Sequence, residues 1–174
     1  MRLFLRQFSS PVFGLLTAAS LALSGCGFQL RGSYTLPYES LYLKVPDASV
    51  VGAGLKRAIR SSGSTRLAEN SENAAATFLP TAEAREPVIL SLSSAGRIRE
   101  KRLRYRYAYR VIDSKGRDLI LPGVIELNRD MTYADSDVLA KTQEEDLLWR
   151  DMESDLVQQL LRRLAASKPV RPAE

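Results

Sequence analysis

Between Arg97 and Arg110 the chain places seven basic residues against a single acid, Glu100. The same 174-residue sequence holds one cysteine, Cys26, and no histidine. Guanidinium and ammonium groups at this density can grip phosphate or carboxylate oxygens, because each arginine presents a planar fork of donors. A lone thiol can serve as a nucleophile, a metal ligand, an apolar filler or a processing site. The inventory removes several chemistries. One cysteine cannot form an internal disulfide. Without histidine, a zinc site of the usual nitrogen and sulfur ligands cannot be built within the chain. Ser-His-Asp and Cys-His catalysis are excluded too, and no side chain titrates near neutrality without help.

The basic stretch "KRLRYRYAYRVID" has a strict period of two. Leu103, Tyr105, Tyr107, Tyr109 and Val111 point one way, and Arg102, Arg104, Arg106, Ala108 and Arg110 point the other. Ten residues of unbroken alternation specify a strand rather than a helix. Three readings of its basic face compete. Arginine stems can cover apolar surface while their heads stay in water, and such charges also discourage edge pairing. Basic residues interleaved with tyrosine can neutralise phosphates and stack bases. Finally, arginines repeated at about 6.6–7 Å along a strand can hold a multiply phosphorylated lipid or glycolipid head group. Composition leaves the solvated-face and lipid readings equally open. Elsewhere no phosphate loop or paired-acid motif stands out. Gly52-x-Gly54 lacks the third glycine of a dinucleotide fingerprint, and Glu144, Glu145 and Asp146 are accounted for by a helix start.

The setting of Cys26 points to processing. Arg2 and Arg6 form a short positive region, "PVFGLLTAASLAL" is an apolar run, and Leu23-Ser24-Gly25-Cys26 has the pattern of a bacterial lipobox. The run is too short and too broken to span a bilayer, which takes about 20 mainly apolar residues. In this pattern the thiol receives diacylglycerol, the chain is cut before the cysteine, and the new N-terminus is acylated. Each buried methylene adds about 0.8 kcal/mol, so three acyl chains hold a protein firmly. Residue 27 is Gly rather than Asp, which favours outer-membrane sorting. An exported lipoprotein meets little nucleic acid, so no nucleic-acid partner is expected. Residues 1–25 are read as a removed signal, 26–166 as one domain and 167–174 as a tail.

Around the basic strand, "SLYLKV" alternates as a strand that Pro46 ends. "VVGAGLKRAIRSSG" reads as a helix with Val51, Leu55, Ala58 and Ile59 on one face and Gly63 as its cap. "STRLAE" reads as a short strand. Asn70–Pro87 shows no clear periodicity and is expected to be a connection with at most one extended piece. "PVILSLSSAG" gives a strand with Val88, Leu90 and Leu92 on one face. "DSKG" is a turn, so the next strand is expected to return antiparallel, and "VIELNRDMTY" is that return or a third strand after the Pro122-Gly123 break. "KTQEEDLLWRDMESDLVQQLLRRLAAS" is a helix with capping-box spacing at Thr142 and Glu145, and Leu148, Met152, Leu156, Leu160 and Leu164 as its buried stripe. The order predicts an α+β two-layer sandwich, with one mostly antiparallel or mixed sheet carrying two helices on one face.

With these elements in order, "CGFQLRG" after the lipobox, the strand-helix opening and the closing "LAKTQEEDLLWRDMESDLVQQLLRRL" resemble the LptE lipopolysaccharide-assembly lipoproteins, from Cys26 to about Leu164. The resemblance implies a non-enzymatic outer-membrane lipoprotein on the periplasmic side, anchored through Cys26. It implies a place inside the LptD β-barrel as a plug, binding of lipopolysaccharide, and no cofactor or metal. Family members use basic residues near a strand hairpin and just before the C-terminal helix. Lys141 matches the second position. The first falls among Arg97, Arg99, Lys101, Arg102, Arg104 and Arg106, with Arg99, Lys101 and Arg102 closest to the expected turn. The Asn70–Pro87 stretch departs from the better-known members and reads as an insertion. The alternative function is a structural lipoprotein with no direct lipid-binding role.

Overall fold

The computed structural model describes residues 34–133 and 138–168. Cys26 and the "CGFQLRG" motif lie outside them. The chain runs β1 (Ser40–Leu43), α1 (Val50–Ser62), β2 (Arg66–Leu67), β3 (Ala76–Leu92), β4 (Ile98–Ile112), β5 (Gly123–Thr132) and α2 (Val138–Ala166). The strands form one open sheet in the order β2-β1-β3-β4-β5. β1 lies parallel to both β2 and β3, while β3, β4 and β5 are antiparallel neighbours. The sheet is therefore mixed, one of the two forms the α+β reading expects.

α1 begins where the Ser49 side chain accepts a hydrogen bond from the Gly52 amide at 3.0 Å. It ends at Gly63 with φ 64°, a left-handed cap that costs glycine no Cβ clash. The alternation read in β4 is what places it in the middle of the core. Leu103, Tyr105, Tyr107, Tyr109 and Val111 are all at most 3% exposed. They pack with Leu55 and Ile59 of α1, and with Met152, Leu156, Leu160 and Leu164 of α2. Phe78 stacks on Tyr109 with ring centroids 5.5 Å apart. One sheet face thus carries both helices, and the even-numbered arginines of β4 lie on the other.

Three expectations change. Asn70–Pro87 is not chiefly a connection: from Ala76 onward it belongs to β3, a strand of 17 residues. Only its start is buried, at Ala76, Thr77 and Phe78. Beyond Phe78, β1 has ended, so β3 pairs with β4 alone and its side chains are half-buried or exposed. Pro80 and Pro87 fit because both oppose odd-numbered β4 residues, Tyr109 and Leu103. The Tyr133 amide bonds the Arg99 carbonyl, so the odd residues of β4 bond toward β5. Both proline nitrogens consequently face away from β4, and no ladder bond is lost.

The second change is at α2. It starts at Val138, a full turn before Thr142, and its first turn has no acid. The Thr142/Glu145 capping box is replaced by a different use of Glu145, described below. Third, the faces read into "PVILSLSS" do not alternate between core and solvent. Register shifts interrupt the pairing from Ile89 to Leu92, and Ile89, Leu90 and Leu92 are all exposed. No core receives these side chains at the hairpin end. "DSKG" does turn the chain, with Gly116 at φ 79°. The segment after it makes only an isolated bridge between Ile112 and Asp118, and the antiparallel return is β5.

Candidate functional site

The β3–β4 hairpin turns at Ser93–Gly96, where the Ser93 amide bonds the Arg97 carbonyl at 2.7 Å and Gly96 adopts φ 76°. Arg97 therefore stands at the turn, and Arg99 and Lys101 follow on the strand. The chain of β5 finishes beside Arg99 before α2 begins, so the first turns of the helix lie at the same end of the molecule. Lys101 fixes this arrangement. Its ammonium donates to Glu145 Oε2 at 2.6 Å and sits 4.9 Å from the centre of the Tyr133 ring. The Tyr133 hydroxyl donates to the same carboxylate oxygen at 3.0 Å. Burial opposes both charges. The hydrogen bonds outweigh it, so the Lys101 ammonium is held above its ordinary pKa and the Glu145 carboxyl below its own. Lys141, half-buried one turn into α2, donates to Glu144 at 2.7 Å.

The seven candidate basic residues thus separate into two sets. Arg97, Arg99, Lys101 and Lys141 gather at the hairpin end. Arg99 is exposed there and makes no ion pair among the described residues. Arg102, Arg104 and Arg106 lie on the sheet face opposite the helices, with Arg110 further along. Arg102 forms a two-pronged pair with Asp130 at 2.7 Å for each prong. Arg110 does the same with Asp118 at 2.8 and 3.0 Å. These forks hold both aspartates below the usual carboxylate range. Arg104 Nε is 3.7 Å from Glu126, too far for a hydrogen bond, and this buried atom has no hydrogen-bond partner among the described residues. Arg106 is exposed and makes no ion pair among the described residues.

Two groups of residues escaped the sequence reading. Ile89, Leu90 and Leu92 form an exposed apolar strip on the same hairpin as Arg97 and Arg99, and Leu139 on the first turn of α2 is 75% exposed. Their sequence signal, a short apolar run beside a turn, is also that of an ordinary core strand. The second group is a polar cluster under α2. Arg85 pairs with Glu153 at 2.6 Å, donates to the Tyr105 hydroxyl at 3.3 Å and lies 4.8 Å from that ring's centre. The Tyr105 hydroxyl in turn donates to Glu83 at 2.6 Å. Burial, then this bond to Glu83, pushes the Tyr105 pKa far up. The cluster joins β3, β4 and α2 structurally.

Among the described residues, no three histidine, cysteine or acidic side chains gather to hold a metal. No described helix is long and apolar enough to cross a membrane.

Three solved structures share this architecture. The solution structure of lipoprotein B from Nitrosomonas europaea is 38% identical with a TM-score of 0.68, covering 80% of this chain and 91% of its own. A minor lipoprotein from Acinetobacter baumannii is 22% identical with a TM-score of 0.63, covering 79% of this chain and 99% of its own. The rare lipoprotein B from Shewanella oneidensis is 21% identical with a TM-score of 0.63, covering 73% and 94%. The last two carry the fold alone. No curated protein sequence matches the chain. Residues 38–164 match the LptE lipopolysaccharide-assembly family, a span that runs from just before β1 into the last turn of α2, and the chain belongs to that family.

Proposed function

We propose that this lipopolysaccharide-assembly lipoprotein binds lipopolysaccharide directly at the hairpin end, while plugging the LptD barrel from the periplasmic side of the outer membrane, anchored through acylated Cys26. The observation that carries the lipid-binding reading is the juxtaposition of Arg97, Arg99, Lys101 and Lys141 with the exposed Ile89, Leu90 and Leu92. A phosphorylated lipid offers anionic oxygens and acyl chains together, and this end offers a complement to each. The work done is binding and positioning with no covalent step, in keeping with a non-enzymatic family.

A specific observation favours the structural alternative for part of the set. Lys101, Lys141 and Arg102 already hold Glu145, Glu144 and Asp130. A phosphate must displace or join those carboxylates, so Arg99 is the expected primary ligand for it. Retention of lipopolysaccharide by immobilised protein tests the reading. Arg99→Asp with Lys141→Asp is expected to lower retention about tenfold or more, because two charge-assisted hydrogen bonds to phosphate can no longer form. Unchanged retention selects the structural alternative. Co-purification with LptD tests the plug separately.

A further inference from the structure

α1 and α2 touch at Gly54, where an added Cβ would lie 2.8 Å from Val157 Cγ2. Around this point a cleft of about 600 Å³ opens between the helices. Ala58 and Val157 line its apolar part, Ser61 and Ser154 offer hydroxyls, and Arg57 of α1 and Arg150 of α2 border it from opposite helices. Both arginines are exposed, and neither makes a hydrogen bond or ion pair among the described residues. The cleft's acid, Glu153, does not neutralise them, because Arg85 holds it at 2.6 Å. This contrasts with Arg102, Arg110, Arg117 and Arg129, each of which carries a carboxylate of its own.

We propose that this cleft seats an acidic, extended segment of the partner barrel, whose carboxylates are gripped by Arg57 and Arg150 from either side. The proposal rests on the plug reading above and adds a location and a chemistry to it. Two guanidinium forks, one from each helix beside an apolar floor, match carboxylates on a peptide, which need little apolar depth. A lipid is the poorer occupant. Its acyl chains need apolar surface, and of the exposed large apolar side chains only Val50 lines this cleft, whereas Ile89, Leu90 and Leu92 lie on the hairpin.

The test uses the full lipidated chain co-produced with LptD, with a photoreactive residue at position 61 or 154. Crosslinks to a barrel segment rich in Asp and Glu are expected. Arg57→Glu with Arg150→Glu is expected to cut their yield about tenfold, for two rim charges reversed. Changing the mapped acids to Lys is expected to restore it. Arg57→Gln with Arg150→Gln gives an intermediate loss and guards against misfolding of the reversed pair. If the complex forms but crosslinks are absent, land on a segment without acids, ignore the reversal or attach to lipid, the cleft proposal is overturned and the plug stands. Failure of the complex to form with the unaltered chain overturns both.

Discussion

Lys101 of β4 and Glu145 of α2 meet at 2.6 Å, with side chains only 14% and 21% exposed, and so tie the basic strand to the helix beside it. Glu145 thus faces the sheet from inside a helix that has already begun at Val138, rather than standing at its start.

The pair carries a pH signature. The Glu145 pKa is depressed in the fold, so its contribution is complete above the unfolded value, about 4.5, and is lost as pH falls through the folded value. The Lys101 pKa is raised, so its contribution is complete below about 10.5 and is lost as pH rises through the folded value. Glu145→Gln should cost about 1 kcal/mol at neutral pH, as befits a charged hydrogen bond that is not fully buried. It should also flatten the acid limb of stability. Urea unfolding from pH 3 to 7 measures both, and an unchanged acid limb contradicts the assignment.

Two neighbouring tyrosines should respond oppositely to loss of a hydroxyl. Tyr105 donates to Glu83 at 2.6 Å, whereas the buried Tyr107 hydroxyl has no hydrogen-bond partner among the described residues. Tyr105→Phe should destabilise by about 1–2 kcal/mol, while Tyr107→Phe should be neutral or slightly stabilising. Equilibrium unfolding of the two variants side by side decides this.

At Gly123 there is no room for a methyl group, since an added Cβ would lie 2.5 Å from Tyr109 Cζ. Tyr109 is wedged against Phe78 and cannot yield freely. Gly123→Ala should therefore cost about 1–3 kcal/mol through overpacking, read as a lowered unfolding midpoint. A midpoint within error of the parent would show that the ring can move.

Pro87 keeps a donor off the open edge of β3. Pro87→Val should leave stability within about 1 kcal/mol but add an unpaired N–H to an exposed edge, raising self-association. Sedimentation velocity across a concentration series measures this. A strictly monomeric variant would mean that the neighbouring charges suffice.

β4 was legible because one face is wholly buried and the other carries arginine, which gives alternation its full contrast. The stripe of α2 was legible for the same reason. Most of β3 was not, because past Phe78 β1 has ended and the residues under α2, Glu83 and Arg85, meet polar partners such as Glu153 rather than an apolar core. Glu83, Arg85, Pro80 and Pro87 then look like a loop. The site was legible as a run of charge. Its division into a hairpin end and an opposite sheet face follows from the period of two, but the neutralising partners Asp130, Glu144 and Glu145 depend on tertiary packing. The apolar strip at Ile89–Leu92 misled, since an exposed strand tip and a core strand share one composition.

Leu90→Ser with Leu92→Ser should leave the unfolding midpoint nearly unchanged, within about 0.5 kcal/mol, because both side chains are already exposed. The same change should weaken lipopolysaccharide retention. Loss of stability instead would return these residues to the core.

The most direct measurement is crosslinking to lipopolysaccharide in living cells from a photoreactive residue at position 99 and, separately, at position 106. Both sites are exposed on β4, one at the hairpin end beside α2 and the other on the opposite sheet face. A lipopolysaccharide adduct from position 99 and none from position 106 is the predicted result. An adduct from position 106 alone, or from neither in a chain that still assembles with LptD, would contradict direct binding at the hairpin end.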